Sequence, residues 1–216
     1  MRNNGHYEKG LSCSFGDKHA ADKLVQNIAI GYLAGWDDLA DADGLLRKLF
    51  ETDNTEYISE LVTFMGTFRD RDDEKLRRKI KPLWKAIIEK VAPNLEKDEY
   101  RIIASNLGKW LSLVDTIDDD VYELLQIFVE AIEENWNSGF FIEYLRRHVI
   151  KTPTMVGNLY LKMLNAGTYP DYKKEDIIAI VQALYDLNEK ESAIRICNIY
   201  FSKGFEFLRE TFEKLN

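Results

Sequence analysis

The sequence predicts an all-α fold of about eleven antiparallel helices, on three observations. Apolar residues recur at helical spacing almost without interruption from residue 17 onward, most clearly over residues 121–136. No segment alternates apolar and polar side chains as a half-buried strand does. The 216 residues include only 4 Pro and 12 Gly, too few for the many turns of an all-β fold. We therefore expect a single helical domain over residues 17–216, preceded by a flexible tail over residues 1–16.

The predicted helices follow one another with short links, which make consecutive helices antiparallel neighbours. They cover residues 18–34, 38–51, 55–69, 73–91, 97–114, 119–135, 139–150, 153–166, 174–187, 190–203 and 205–215.

Capping residues mark several helix ends. Thr152 stands before Pro153, which loses no hydrogen bond at the first helical position. Segments 53–56 and 188–191 supply further N-caps, the second with an acid three residues after Asn188. Two glycines follow helical segments, where a left-handed C-cap residue belongs: Gly167 and Gly204.

One helix pair, residues 80–115, carries a recognisable pattern. Its first helix contains a proline, and its second has an arginine, an alanine and a Leu-Gly pair: Pro82, Arg101, Ala104, Leu107 and Gly108. This pattern resembles a HEAT repeat. A weaker copy covers residues 45–66, and aligning its Gly66 with Gly108 gives a spacing of 42 residues. Residues 24–36 look like the second helix of an earlier unit.

The resemblance implies a HEAT-like, right-handed α-solenoid in which stacked helix pairs share one core. In that family the arginine of the second helix often pairs with an acid, so Arg101 is expected to pair with Glu96 or Asp98. A solvated surface pair is the alternative for these residues. Ala104 and Gly108 would let neighbouring helices approach closely.

Aromatic and cysteine residues are mainly assigned to the core. The four tryptophans are expected to pack between helices, with an exposed binding aromatic as the alternative for one of them: Trp36, Trp84, Trp110 and Trp136. Cys13 and Cys197 are too far apart in sequence for a zinc ribbon or a redox dithiol. Cys197 belongs to an apolar helical stripe, which predicts a buried thiol in a reducing compartment.

Two acidic clusters are interpreted as helix caps and not as cation sites. They contain Asp115, Asp118, Asp119 and Asp120, and Asp37, Asp38, Asp41 and Asp43. Their spacing differs from that of a calcium loop. Acids at a helix N-terminus also stabilise the free N–H groups there.

Two basic strips have two interpretations, a solvated helix face or a surface for phosphate or an acidic partner. The first covers residues 69–81, where Asp73–Arg77 and Glu74–Arg78 have the spacing of ion pairs along a helix. The second contains Arg146, Arg147, His148 and Lys151. As candidate interaction residues we take Arg77, Arg78, Arg146 and Arg147.

The aromatic-rich C-terminal segment supplies one more candidate, Phe207. In a helix over residues 205–215, one apolar stripe would be formed by Phe205, Leu208, Phe212 and Leu215. Phe207 would point away from that stripe and is expected to be an exposed aromatic. It would then contact another subunit or domain.

Charge and motif content restrict the function. The net charge is −8, which disfavours nucleic acid as a partner. No segment is apolar enough for a membrane span or a signal peptide, so a cytoplasmic protein is expected. No nucleophile or phosphate-binding motif occurs, and we expect no catalysis, cofactor or metal. The expected function is a scaffold that recognises a protein partner or an adjacent domain of a larger chain, with weak homodimerisation also considered. The alternatives are nucleic-acid binding through a cationic concave face and, third, an enzyme with a helical cleft.

Overall fold

The computed structural model describes residues 18–68, 73–132 and 136–215. Of these residues 76% are helical, in eleven α-helices and two short 3-10 helices, and none of them forms a strand. The all-α prediction is therefore confirmed for the part of the chain that is described. The predicted N-terminal tail and Cys13 lie outside it. No helix of the described ranges combines the length and the apolar character needed to cross a membrane.

The chain forms two compact units, Met1–Leu113 and Val114–Asn216. The expectation of one domain over residues 17–216 stays a prediction. The first unit contains helices α1 (Lys18–Ala34), α2 (Leu45–Glu51), α3 (Thr55–Gly66), α4 (Glu74–Val91) and α5 (Asp98–Asn106), with 3-10 helices at Ala92–Asn94 and Leu107–Leu113. The second contains α6 (Asp119–Ala131), α7 (Trp136–His148), α8 (Pro153–Asn165), α9 (Lys174–Asp186), α10 (Lys190–Ser202) and α11 (Arg209–Leu215).

In the first unit, α3 packs against both α1 and α5, and the 3-10 helix Leu107–Leu113 packs on α3 and α4. Trp84 and Trp110 are fully buried, as predicted. The indole N–H of Trp110 donates to the Val62 carbonyl at 3.0 Å. Gly66 lies beside this indole, and a Cβ there would make an ordinary contact of 3.6 Å with its nitrogen.

In the second unit, a helix packs against the next helix but one in the chain. Helix α8 contacts α6 and α10, while α9 contacts α7 and α11. Sequence neighbours also pack, above all α9 with α10. A buried pair of hydroxyl groups joins α8 to α10. The hydroxyl oxygens of Tyr160 and Tyr200 lie 3.0 Å apart, and the Tyr200 hydroxyl donates to the Pro170 carbonyl at 3.1 Å.

The predicted caps are partly confirmed. The Asn54 side chain accepts from the backbone N–H groups of Glu56 and Tyr57. Gly167 and Gly204 have φ values of +95° and +84°, as a left-handed C-cap position requires. Thr152 is the N-cap of α8 and Pro153 its first residue, as predicted, but the Thr152 hydroxyl donates back to the His148 carbonyl and makes no capping bond.

Two further boundary predictions are corrected. The predicted Asn188 cap is wrong, since that residue has a φ of +71° and the helix begins beyond it at Lys190. Helix α2 begins at Leu45 and not at residue 38, because the Asp37 carboxylate accepts the Leu46 N–H and holds the preceding segment in turns.

Candidate functional site

A groove runs across the first unit where α1, α3 and α5 lie side by side. Its volume is about 260 Å³. The floor is the exposed face of α3, and residues of α1 and α5 form the walls. Four carboxylates and one ammonium line it: Asp22, Glu56, Glu60, Glu99 and Lys18.

Helical spacing explains why these side chains share one face. Lys18 and Asp22 lie four residues apart on α1, and Glu56 and Glu60 have the same spacing on α3. The opposite face of α3 is buried in the core, including Ile58. Each helix is therefore amphipathic, and its polar stripe faces the groove.

The groove is strongly acidic. Among the described residues, no cation forms an ion pair with any of its four carboxylates. Glu60 accepts one hydrogen bond, from the Gln26 amide at 2.9 Å. Four carboxylates against one ammonium make a negative field that attracts cations and repels phosphate.

The α5 wall adds an apolar surface. Ile102 is 48% exposed at the groove, three residues from Glu99. The described residues contain no group of three His, Cys, Asp or Glu side chains that could hold a metal ion. Carboxylates accept strong hydrogen bonds from ammonium and guanidinium groups, so the acids beside the exposed Ile102 suit an organic cation with an apolar stem.

The first basic strip is partly neutralised within its own helix. Arg78 is exposed and pairs with Glu74 at 2.5 Å, as predicted. Asp73 caps α4 through its side chain, although the spacing predicted a pair with Arg77. Arg77 is half-buried. The other arginines of this strip, at positions 69 and 71, lie outside the described residues.

The second basic strip lies at the C-terminal end of α7. Arg146, Arg147 and Lys151 are exposed, and Ile150 between them is 62% exposed. His148 is not part of this surface, because its side chain is turned inward and only 5% exposed. Burial, and then the charges of Arg147 and Lys151, lower the pKa of His148 to about 4.

Phe207 does not project from a helix as predicted. Residues 205–208 precede α11, which begins at Arg209. The Phe207 ring is half-buried and packs edge-on against Tyr200, with ring centroids 5.1 Å apart. Lys174 lies 5.9 Å from the ring centroid. A contact of Phe207 with a partner stays a prediction. The prediction assumed that Phe207 lies on a helix, whereas it precedes α11.

The residues of the HEAT-like pattern divide into buried and exposed groups. Ala104, Leu107 and Gly108 are buried, as their packing role requires. Pro82 lies exposed inside α4, and Arg101 is exposed on α5. The expected ion pair of Arg101 with Glu96 or Asp98 does not occur in the described structure, because none of its ion pairs includes Arg101.

The remaining predictions concern single residues. Trp36 is 66% exposed and does not pack in the core, whereas Trp84 and Trp110 are buried. The side chain of Trp136 is not among those that the structure describes. Cys197 is buried as predicted, and burial raises the pKa of its thiol to about 11. Asp118 caps α6 by accepting the Val121 N–H.

The comparisons with known proteins give no family assignment. No protein-family model, no curated protein and no solved structure matches the chain.

The groove was not predicted from the sequence, because its lining comes from three separate helices. In each helix the acids have the appearance of an ordinary solvated face. The only available signal was the set of second helices in the repeat pattern, residues 24–36, 55–66 and 98–108, which correspond to α1, α3 and α5.

Proposed function

We propose that this protein is a non-catalytic helical scaffold for protein–protein or interdomain recognition, of the HEAT-like, right-handed α-solenoid type. The observation that carries this proposal is the lateral packing of α1, α3 and α5, which leaves a groove across their exposed faces. Stacked helix pairs in repeat proteins form extended surfaces of this kind, and such surfaces bind partners.

The repeat pattern and the packing support the same assignment. The second helices of the predicted repeat units are the three helices that line the groove. The second unit has a comparable arrangement, with α8 between α6 and α10. In both units a helix packs on the helix two places along, as expected where successive helix pairs stack.

A cytoplasmic location completes the proposal. Cys197 is a free, buried thiol, which suits a reducing compartment.

Site-specific photo-crosslinking tests the recognition role. A photoreactive amino acid replaces Ser59 on the groove floor, and a matched variant carries it at the exposed Gln182 on α9. We expect the Ser59 variant to crosslink a defined protein in cells and the Gln182 variant not to. The purified partner should then bind the unmodified chain in calorimetry. Equal crosslinking at both positions, or none at Ser59, would contradict the proposal.

Nucleic-acid binding is the alternative, favoured by the exposed Arg146, Arg147 and Lys151. The net charge of −8 and the acidic groove oppose it. We expect no duplex binding at physiological salt in a fluorescence anisotropy titration. Micromolar or tighter binding that weakens steeply with added salt would make nucleic acid the favoured partner.

A further inference from the structure

The groove of the first unit has a size and a charge that restrict what it can bind. Its volume of about 260 Å³ falls below the roughly 300–1,000 Å³ of pockets that enclose drug-sized ligands. It is also open to solvent along the helices. A single long side chain of a macromolecular partner fits this description better than a free metabolite.

The polarity of the groove determines the chemistry of that side chain. Its four carboxylates come from three different helices, and Lys18 is the one cation among the lining residues. Glu56 and Glu99 are both exposed and lie in the first turns of α3 and α5, so they are accessible to a partner. A cationic head group can accordingly contact carboxylates from more than one wall.

The apolar wall accounts for the stem of the side chain. Ile102 is 48% exposed and lies one helical turn from Glu99 on the same wall. Lysine and arginine lay their methylene groups along apolar surface while the charged head reaches polar groups. The combination of Ile102 with carboxylates on the facing helices matches both parts of such a side chain.

We propose that the groove formed by α1, α3 and α5 binds a lysine or arginine side chain of a partner protein. This inference rests on the proposed recognition function and specifies the chemistry of its partner. The methylene stem of that side chain packs on Ile102, and its charged head contacts the carboxylates of the facing helices. The affinity depends on ionic strength, because the carboxylates are accessible to solvent.

The test begins with a phage-displayed library of random dodecapeptides selected against the full chain. Selected peptides are synthesised and titrated by anisotropy against wild type and two double variants with equal charge change. Glu56→Lys/Glu99→Lys alters the groove, while Asp119→Lys/Glu175→Lys alters first-turn acids of α6 and α9. Both pairs remove a favourable helix-dipole interaction, so a general loss of helix stability affects them equally. Circular dichroism verifies that both variants retain their helices.

We expect the selected peptides to share a lysine or an arginine. The groove variant should bind them about tenfold more weakly, since repulsion replaces attraction at two positions, and the control should bind as wild type does. Ile102→Ser should weaken binding without reversing any charge. Rising salt should weaken wild-type binding in parallel.

Other results overturn the inference in distinguishable ways. An acidic or uncharged peptide consensus would contradict binding of a cationic side chain in the groove. An equal loss of peptide affinity in both double variants would contradict it as well. Either result leaves the proposed protein recognition in place. Failure of the peptide selection together with failure of crosslinking at Ser59 contradicts both proposals. Self-association that the groove variant abolishes, seen by sedimentation velocity, would make a second copy the occupant and overturn the assignment to a partner protein.

Discussion

Acidification should destabilise the second unit through one buried histidine, His148. Its side chain is 5% exposed and packs against the ring of Tyr144, with centroids 4.4 Å apart. Its Nε2 atom is buried and has no hydrogen-bond partner in the described structure. Burial is the main cause that lowers its pKa to about 4. Arg147 and Lys151 lower the pKa further, and Asp115 opposes them.

The direction of the effect follows from proton binding in the two states. The unfolded chain binds a proton at His148 with a pKa of about 6.5, whereas the folded chain does so only near pH 4. Between these values the unfolded state binds more protons, so stability falls as the pH falls. The loss through this one group should reach about 2 kcal/mol at pH 5 and about 3 kcal/mol at pH 4, both upper limits.

Two measurements check this reasoning. Proton NMR of the His148 Cε1–H resonance, assigned by its absence in His148→Phe, should give a titration midpoint near the folded pKa. Urea denaturation between pH 7 and pH 4 should show the predicted loss in the wild type and a smaller one in His148→Phe, which keeps a ring against Tyr144. A midpoint near 6.5, or equal pH dependence in both proteins, would refute the assignment of His148 as a buried neutral residue.

Three further predictions concern packing, and each is checked by the free energy of unfolding in urea. Leu107→Ala should cost about 2–5 kcal/mol by leaving a cavity, and a loss below about 1 kcal/mol would contradict its burial in the core. Gly157→Ala should destabilise by about 1–3 kcal/mol, as overpacking does, because its Cβ would lie 3.0 Å from the Ser192 side chain. The matched Gly31→Ala, with nothing within 4 Å, should instead stabilise α1 by about 0.5–1 kcal/mol; the same sign at both glycines would refute this account. Tyr200→Phe should cost about 1–3 kcal/mol by leaving two buried polar groups unpaired, and a neutral effect would show that water replaces its hydroxyl.

The helices were predictable because their signals are local. Periodic apolar residues, the Asn54 cap and the glycine after α8 act within a few residues of one another. Where a local signal had a competing interaction, the prediction was wrong. Asp37 reaches Leu46, nine positions away, and delays α2. Residues 107–113 tighten into a 3-10 helix, although their apolar spacing predicted a continuous helix.

The candidate site was less predictable, because exposure depends on neighbours distant in sequence. Arg146, Arg147 and His148 are consecutive and were assigned to one strip, yet the two arginines are exposed and the histidine is buried. Phe207 was expected on the surface, but Tyr200 covers part of its ring.

The sequence alone therefore determined the all-α class, the number and order of the helices, and much of the buried core. These properties follow from hydrophobic periodicity, which each segment carries within itself. Only the tertiary structure decided that α1, α3 and α5 lie side by side, that their acidic stripes line one groove, and that His148 is buried beside exposed cations. Such properties arise when helices from separate parts of the chain bury their apolar faces together, because that packing also determines which polar stripes become neighbours.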